Sequence, residues 1–167
     1  MNDTVQAAFN DQIKHEFFAS YLYLSISAHF EAENLPGFAH WMKLQAQEEL
    51  MHALRLHDHV LRRGGRVQLQ PIDGPQTEFG AAAEIFESVL AHEKKVTGLI
   101  HRLFELAGVE GDWAAQQELQ WFIAEQVEEE DSASAARDQV RMAGDDQAAV
   151  LMLDREFGSR VLAPDEA

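Results

Sequence analysis

Arg66-Val67-Gln68-Leu69-Gln70-Pro71-Ile72-Asp73-Gly74-Pro75-Gln76-Thr77-Glu78-Phe79 carries no helical stripe, while the sequence on either side of it is helical in period nearly throughout. Two prolines and a glycine break this segment, which predicts a long connection rather than a turn. Fourteen extended residues reach about 45 Å, and a helix of about 27 residues is roughly 40 Å long. The connection can therefore run the whole length of a helical bundle, leaving the helix after it parallel to the helix before it. Tight turns before and after complete two antiparallel hairpins joined by one crossover. The expected fold is all-α, a four-helix bundle of the single-crossover kind rather than the up-and-down kind.

The flanking helices are expected at about residues 4–33, 36–63, 81–107 and 112–142, with the crossover at 66–79, all within one domain spanning 1–167. The first should turn Phe9, Ile13, Phe17, Leu24 and Ser27 inward and end at Asn34-Leu35-Pro36-Gly37. Pro36 suits the first turn of the second helix, and Gly64-Gly65 suits its end. Asp112 is a candidate cap for the fourth helix. Asp145-Asp146 then precede a short fifth helix, residues 146–157, whose run of six apolar residues from Ala148 to Leu153 must dock on the bundle or on another subunit. From Val161 onward the chain is expected to fray.

The chain has 167 residues, enough to bury a core without staples. It contains no cysteine, which excludes disulfides, thiolate zinc sites and sulfur-ligated iron and suits a reducing compartment. No apolar run approaches the roughly 20 residues that cross a bilayer, and the first residues do not read as a secretory signal. A soluble, cytoplasmic protein is expected. Its formal charge of −16 disfavours nucleic acid and anionic membranes as partners and favours cations.

Particular acids sharpen that reading. Glu16 is followed by Glu49-x-x-His52, and Glu93 by Gln126-x-x-Glu129; the interval from lone acid to pair is 33 residues both times, and the two sets lie 77 residues apart. His15-Glu16 is answered by His92-Glu93. A carboxylate and an imidazole three residues apart share a helical face and can reach one ion. Glu16 falls within the apolar stripe of its helix, where an uncompensated carboxylate would cost several kcal/mol. Taken singly, each acid is more often a solvated helix residue. Four helices with matched spacing are more simply explained by two metal ions held between them.

Glu16, Tyr23, Gln47-Glu48-Glu49 with His52, Glu93, and Gln120-Trp121 through Glu125-Gln126 with Glu128-Glu129 resemble the non-haem ferritins of bacteria, and the likeness extends along nearly the whole chain. That resemblance implies a five-helix subunit, a hollow 24-subunit cage, and ferroxidase activity that turns Fe(II) into stored ferric mineral with dioxygen or hydrogen peroxide. It implies a first iron on Glu16, Glu49 and His52, and a second on Glu49, Glu93 and Glu129 with Gln126 nearby. Glu48, Glu125 and Glu128 match a third iron position. Tyr23 matches a tyrosine beside the centre that supplies an electron or a hydrogen bond, and Trp121 a nearby aromatic whose alternative is plain core packing. A 24-subunit cage would carry a charge of roughly −400 before counterions, concentrating Fe(II) near its shell.

The sequence also departs from neighbouring families and from the resemblance itself. Haem-binding relatives carry Met directly after the second-helix Glu, where this chain has Leu50, so no haem is expected. Gln126 in place of an acid weakens the second iron position, which suits iron that must leave for a mineral and argues against the alternative of a ferritin-like oxidase or peroxidase with a permanent di-metal cofactor. Gln116 and Leu119 stand where acids often line a three-fold channel. Iron would then pass by Glu118 or through pores elsewhere.

Overall fold

In the computed structural model, residues 1–162 are described, and the expected fraying from Val161 falls mostly outside them. Among the described residues five helices form in order: α1 (Asp3–Ala32), α2 (Pro36–Arg62), α3 (Ala82–Val109), α4 (Trp113–Ala143) and α5 (Gln147–Phe157). Short polar side chains start three of them. Asn2 accepts from the Val5 N–H, Asp112 from Ala115, and Asp146 from Ala148 and Ala149. Pro36 opens α2, and Asn34 takes the left-handed conformation (φ 60°) that lets α1 reverse into it.

Contacts between helices fix the topology. Tyr23 meets Glu93 and Phe30 stacks on Phe86, so α1 and α3 run antiparallel. The crossover tracks α1 throughout: Asn10 exchanges hydrogen bonds with Arg66 and Gln68, Ser25 donates to the Gln76 carbonyl, and His29 packs on Phe79. From Asn10 to His29 is about 28 Å of helix axis, so the connection does run the length of the bundle. Ser20 and Ser27 donate to the carbonyls of Ala46 and Ala39, drawing α1 and α2 together.

The stripe expected on α1 is right at Phe9, Ile13 and Ser27, but Leu24 is 47% exposed and Phe17 only partly buried. Ala19, Tyr23 and Ile26 take the inward positions, because α1 packs on both α2 and α3 and its buried face is wider and rotated from a simple stripe.

The apolar core is in two storeys. One gathers Ile26, Phe30, Phe38, Trp41, Phe86 and Val140 with Leu153 and Phe157 of α5. The other gathers Phe9, Ile13, Leu56, Val96, Ile100 and Phe122. On each of α1 to α4 the change from one storey to the other falls at the polar residues the repeat singled out: Glu16, then Glu49 and His52, then Glu93, then Gln126 and Glu129.

α5 docks on its own bundle through Leu153 and Phe157, while Met152, 72% exposed, faces away. Its Asp154 carboxylate accepts the Phe38 N–H at 2.8 Å and so caps α2, whose own N-cap position, Leu35, has no side-chain acceptor. The helices touch so closely there that a Cβ on Gly37 would lie 1.6 Å from the Asp154 carbonyl oxygen. Gly37→Ala is therefore expected to lower stability by about 2–3 kcal/mol by pushing α5 off the bundle. Thermal unfolding measures this against Gly74→Ala, where a Cβ meets nothing within 4 Å and little change is expected.

Candidate metal centre

Between the two storeys, Glu16, Glu49, His52, Glu93, Gln126 and Glu129 are all buried, and so is Tyr23. Among the described residues two groups have ligand atoms within 4.8 Å of one another: Glu16, Glu49 and His52; and His52, Glu125 and Glu129. His52 belongs to both. Its Nδ1 lies 3.5 Å from Glu49 Oε2, and its ring edges onto Trp121 and Phe122. Burial first, and the Arg55 charge second, lower its pKa to about 4, so the imidazole is neutral at physiological pH and keeps a lone pair for a metal.

The carboxylates are pushed the other way. Burial raises the pKa of Glu16, and burial raises that of Glu49 further, reinforced by the charges of Glu93, Glu16 and Glu129 around it. Burial brings Glu93 to about 7 against the opposing hydrogen bonds of Tyr23 and Gln126. Glu129 rises to about 8 through burial and then the Glu93 charge, with the Gln45 hydrogen bond opposing. Glu16 and Glu49 lie within reach of each other, and among the described residues no donor outside the metal layer reaches Glu16 Oε2 or either oxygen of Glu49. Several carboxylates facing each other in a dry layer, with oxygens that no outside donor reaches, are a donor set for a hard cation.

The remaining sequence candidates are placed variously. Tyr23 donates a hydrogen bond to Glu93 Oε1, and burial keeps its hydroxyl protonated. Gln126 turns its amide nitrogen to Glu93 Oε2 (3.5 Å), the Glu93 carbonyl and Thr97, orienting Glu93 in this arrangement. Glu125 is half-buried beside His52 and Glu129. Glu128 is exposed and joins neither group, because α4 turns it outward. Glu48 is buried, but both its oxygens accept from Arg160, at 2.9 and 3.0 Å. The structure thus does not bring Glu48, Glu125 and Glu128 together as a set.

In the channel segment, Leu119 is fully buried and Gln116 is half-buried, donating to the Phe104 carbonyl. Glu118 is held by Arg55 at 2.6 Å, with His59 and Arg62 beyond, so its charge is matched by two guanidinium groups. Arg55 in turn lies 4.0 Å over the Trp121 ring, which locks Trp121 against His52.

Sequence reasoning missed three side chains. Gln12 donates to Glu16 Oε1 at 2.7 Å, and Gln45 donates to Glu129 Oε2 at 2.7 Å. Each lies four residues before an acid of the centre, a usable signal for Gln12, although Gln45 serves an acid on another helix. Arg160 had no local signal, its partner Glu48 being 112 positions away.

Four long helices with a single crossover, a short fifth helix, and a buried carboxylate and imidazole layer at mid-height define the ferritin-like class of helical bundles. The Ferritin family model, described as a ferritin-like domain, matches residues 6–143. The chain is 42% identical over 160 residues to a bacterial non-heme ferritin of Bacteroides fragilis, covering 96% of this chain and 99% of the relative. It is 33% identical over 153 residues to one of Staphylococcus aureus, covering 92% of each. An Archaeoglobus fulgidus ferritin engineered into a closed form superposes with a TM-score of 0.96 at 44% identity, over 98% of this chain and 99% of that one. The open pore ferritin of the same organism gives 0.95 at 43%, over 96% and 99%. The chain belongs to the ferritin family.

Proposed function

We propose that this chain stores and detoxifies iron, oxidising Fe(II) at a centre inside each bundle and holding the ferric product as mineral within a 24-subunit cage in the cytoplasm. The observation that carries the reading is the buried Glu16, Glu49 and His52 group, in which no donor outside the metal layer reaches Glu16 Oε2 or either Glu49 oxygen among the described residues. One Fe(II) binds there. A second binds where Glu49 faces Glu93 and Glu129, with Gln126 beside them. Oxygen ligands hold Fe(III) more strongly than Fe(II), which lowers the barrier to oxidation. The two Fe(II) give one electron each, together reducing dioxygen with two protons to hydrogen peroxide, or peroxide with two protons to water.

The protein's own groups set the course of that step. Glu93 and Glu129, with pKa values of about 7 and 8, give up their protons as the cations bind. Tyr23, donating to Glu93, fixes that ligand. Gln126 contributes no charge, so the second ion is held less firmly and leaves more readily. Glu125, with Glu129 and His52, offers a third iron position next to the first two. His52 has one lone pair, so it serves one group at a time.

Light scattering before and after aerobic Fe(II) loading tests the reading. A particle near 24 chains that takes up many more than two irons per chain is expected. A small oligomer saturating at two would favour a resident di-metal oxidoreductase, and no uptake would remove the metal function.

A further inference from the structure

Arg160, just beyond the end of α5, reaches back across α2 to the edge of the metal layer. Four contacts hold it. Its guanidinium donates to both oxygens of Glu48 at 2.9 and 3.0 Å, donates to Gln45 Oε1, and lies 4.9 Å over the Trp41 ring. Its carbonyl accepts from His40 Nε2 at 3.0 Å. Just before it, Phe157 packs on Phe38, Trp41 and Phe86, and Asp154 caps α2, so the backbone that delivers Arg160 is itself anchored.

Glu48 and Glu49 are sequence neighbours, equally buried, and fare oppositely. Among the described residues no donor outside the metal layer reaches the Glu49 oxygens, whereas both Glu48 oxygens receive the Arg160 guanidinium. Gln45 extends the arrangement, taking a hydrogen bond from Arg160 and giving one to Glu129 Oε2 at 2.7 Å. A metal ion on Glu48 would have to displace the Arg160 nitrogen that bridges its two oxygens and strand a cation packed on Trp41.

We propose that Arg160 is a built-in cation that occupies Glu48 and thereby limits how many metal ions the centre takes, with Gln45 transmitting its position to Glu129. This rests on the reading of the layer as a metal centre. Arg160 is a positioning residue: it touches a carboxylate that could bind metal, and never the reacting iron. α5 then acts as a strap that carries a charge to the site.

Calorimetric titration with Zn(II), which is redox-inert, reads this on the assembled protein without turnover. Arg160→Ala is expected to bind one more Zn(II) per chain than the unaltered protein, and Arg160→Ala with Glu48→Gln to return to the original number. Glu48→Gln alone is expected to leave the number unchanged, and this arm stands even if Arg160→Ala assembles poorly. Equal numbers for Arg160→Ala and the unaltered protein, or a loss of Zn(II) in Glu48→Gln, would overturn the proposal. No Zn(II) binding by the unaltered protein would instead remove the metal-centre reading, while the difference between it and Arg160→Ala would still decide the role of Arg160.

Discussion

Replacing Glu49 and His52 together with alanine is expected to slow rapid Fe(II) oxidation by on the order of a hundredfold or more, while the bundle and its assembly persist. Removing groups that only orient a metal ligand commonly costs 10- to 100-fold, so deleting ligands themselves should cost at least that. Glu49 is the pivot: Glu93, Glu16 and Glu129 all press on it electrostatically, so its loss is expected to strip both of the iron positions proposed above, and His52 belongs to both candidate ligand groups. The fold should tolerate the change because both residues lie between the apolar storeys, with only the His52 ring touching Trp121 and Phe122, and deleting a buried carboxylate removes a desolvated group. Stopped-flow absorbance of the ferric product gives the rate, and circular dichroism with light scattering checks the particle. Unchanged kinetics in an intact particle would place oxidation elsewhere in the molecule.

Metal-free protein is expected to lose stability as pH rises from about 6.5 to 8.5, above the range in which His52 and His92, lowered to about 4 by burial, offset the change, and divalent cations should restore it. In the unfolded chain glutamates release their protons near 4.3, whereas in the fold Glu93 holds its proton to about 7 and Glu129 to about 8. The folded state therefore binds more protons across that window, and stability falls as pH climbs through it. The two shifts share neighbouring charges and do not add in full; an effect of about 2 kcal/mol per chain, or roughly 5 °C in melting temperature, is the expected scale. Bound cations supply the positive charge the protons supplied and flatten the profile. Calorimetric melts across pH, with and without Zn(II), measure this. A metal-free profile that rises over the same window would contradict the protonation assigned to the layer.

The bundle was readable because its signals are local. Pro71, Gly74 and Pro75 mark the crossover, Pro36 opens a helix, and Asp112 and Asp146 cap two others within their own turns. Glu16, Glu49, His52 and Glu93 were readable because the same interval recurs in two halves of the chain. Leu24 was misread because α1 packs against two helices, and a stripe drawn for one partner is rotated from the true buried face. Glu48 could not be told from Glu49 by composition or burial. What separates them is Arg160, delivered by tertiary packing of α5. The ties on Glu118 were hidden in the same way, since Arg55 lies on a different helix 63 positions away.

The division of the core into two storeys also bears on how such a protein can change. The layer between them is shaped by a handful of side chains, and most of the apolar packing lies above and below it. Ligands in that layer can be exchanged one at a time, by mutation or by design, with the scaffold left standing. A family built this way can acquire new metal preferences, or lose catalysis altogether, without first reinventing its architecture.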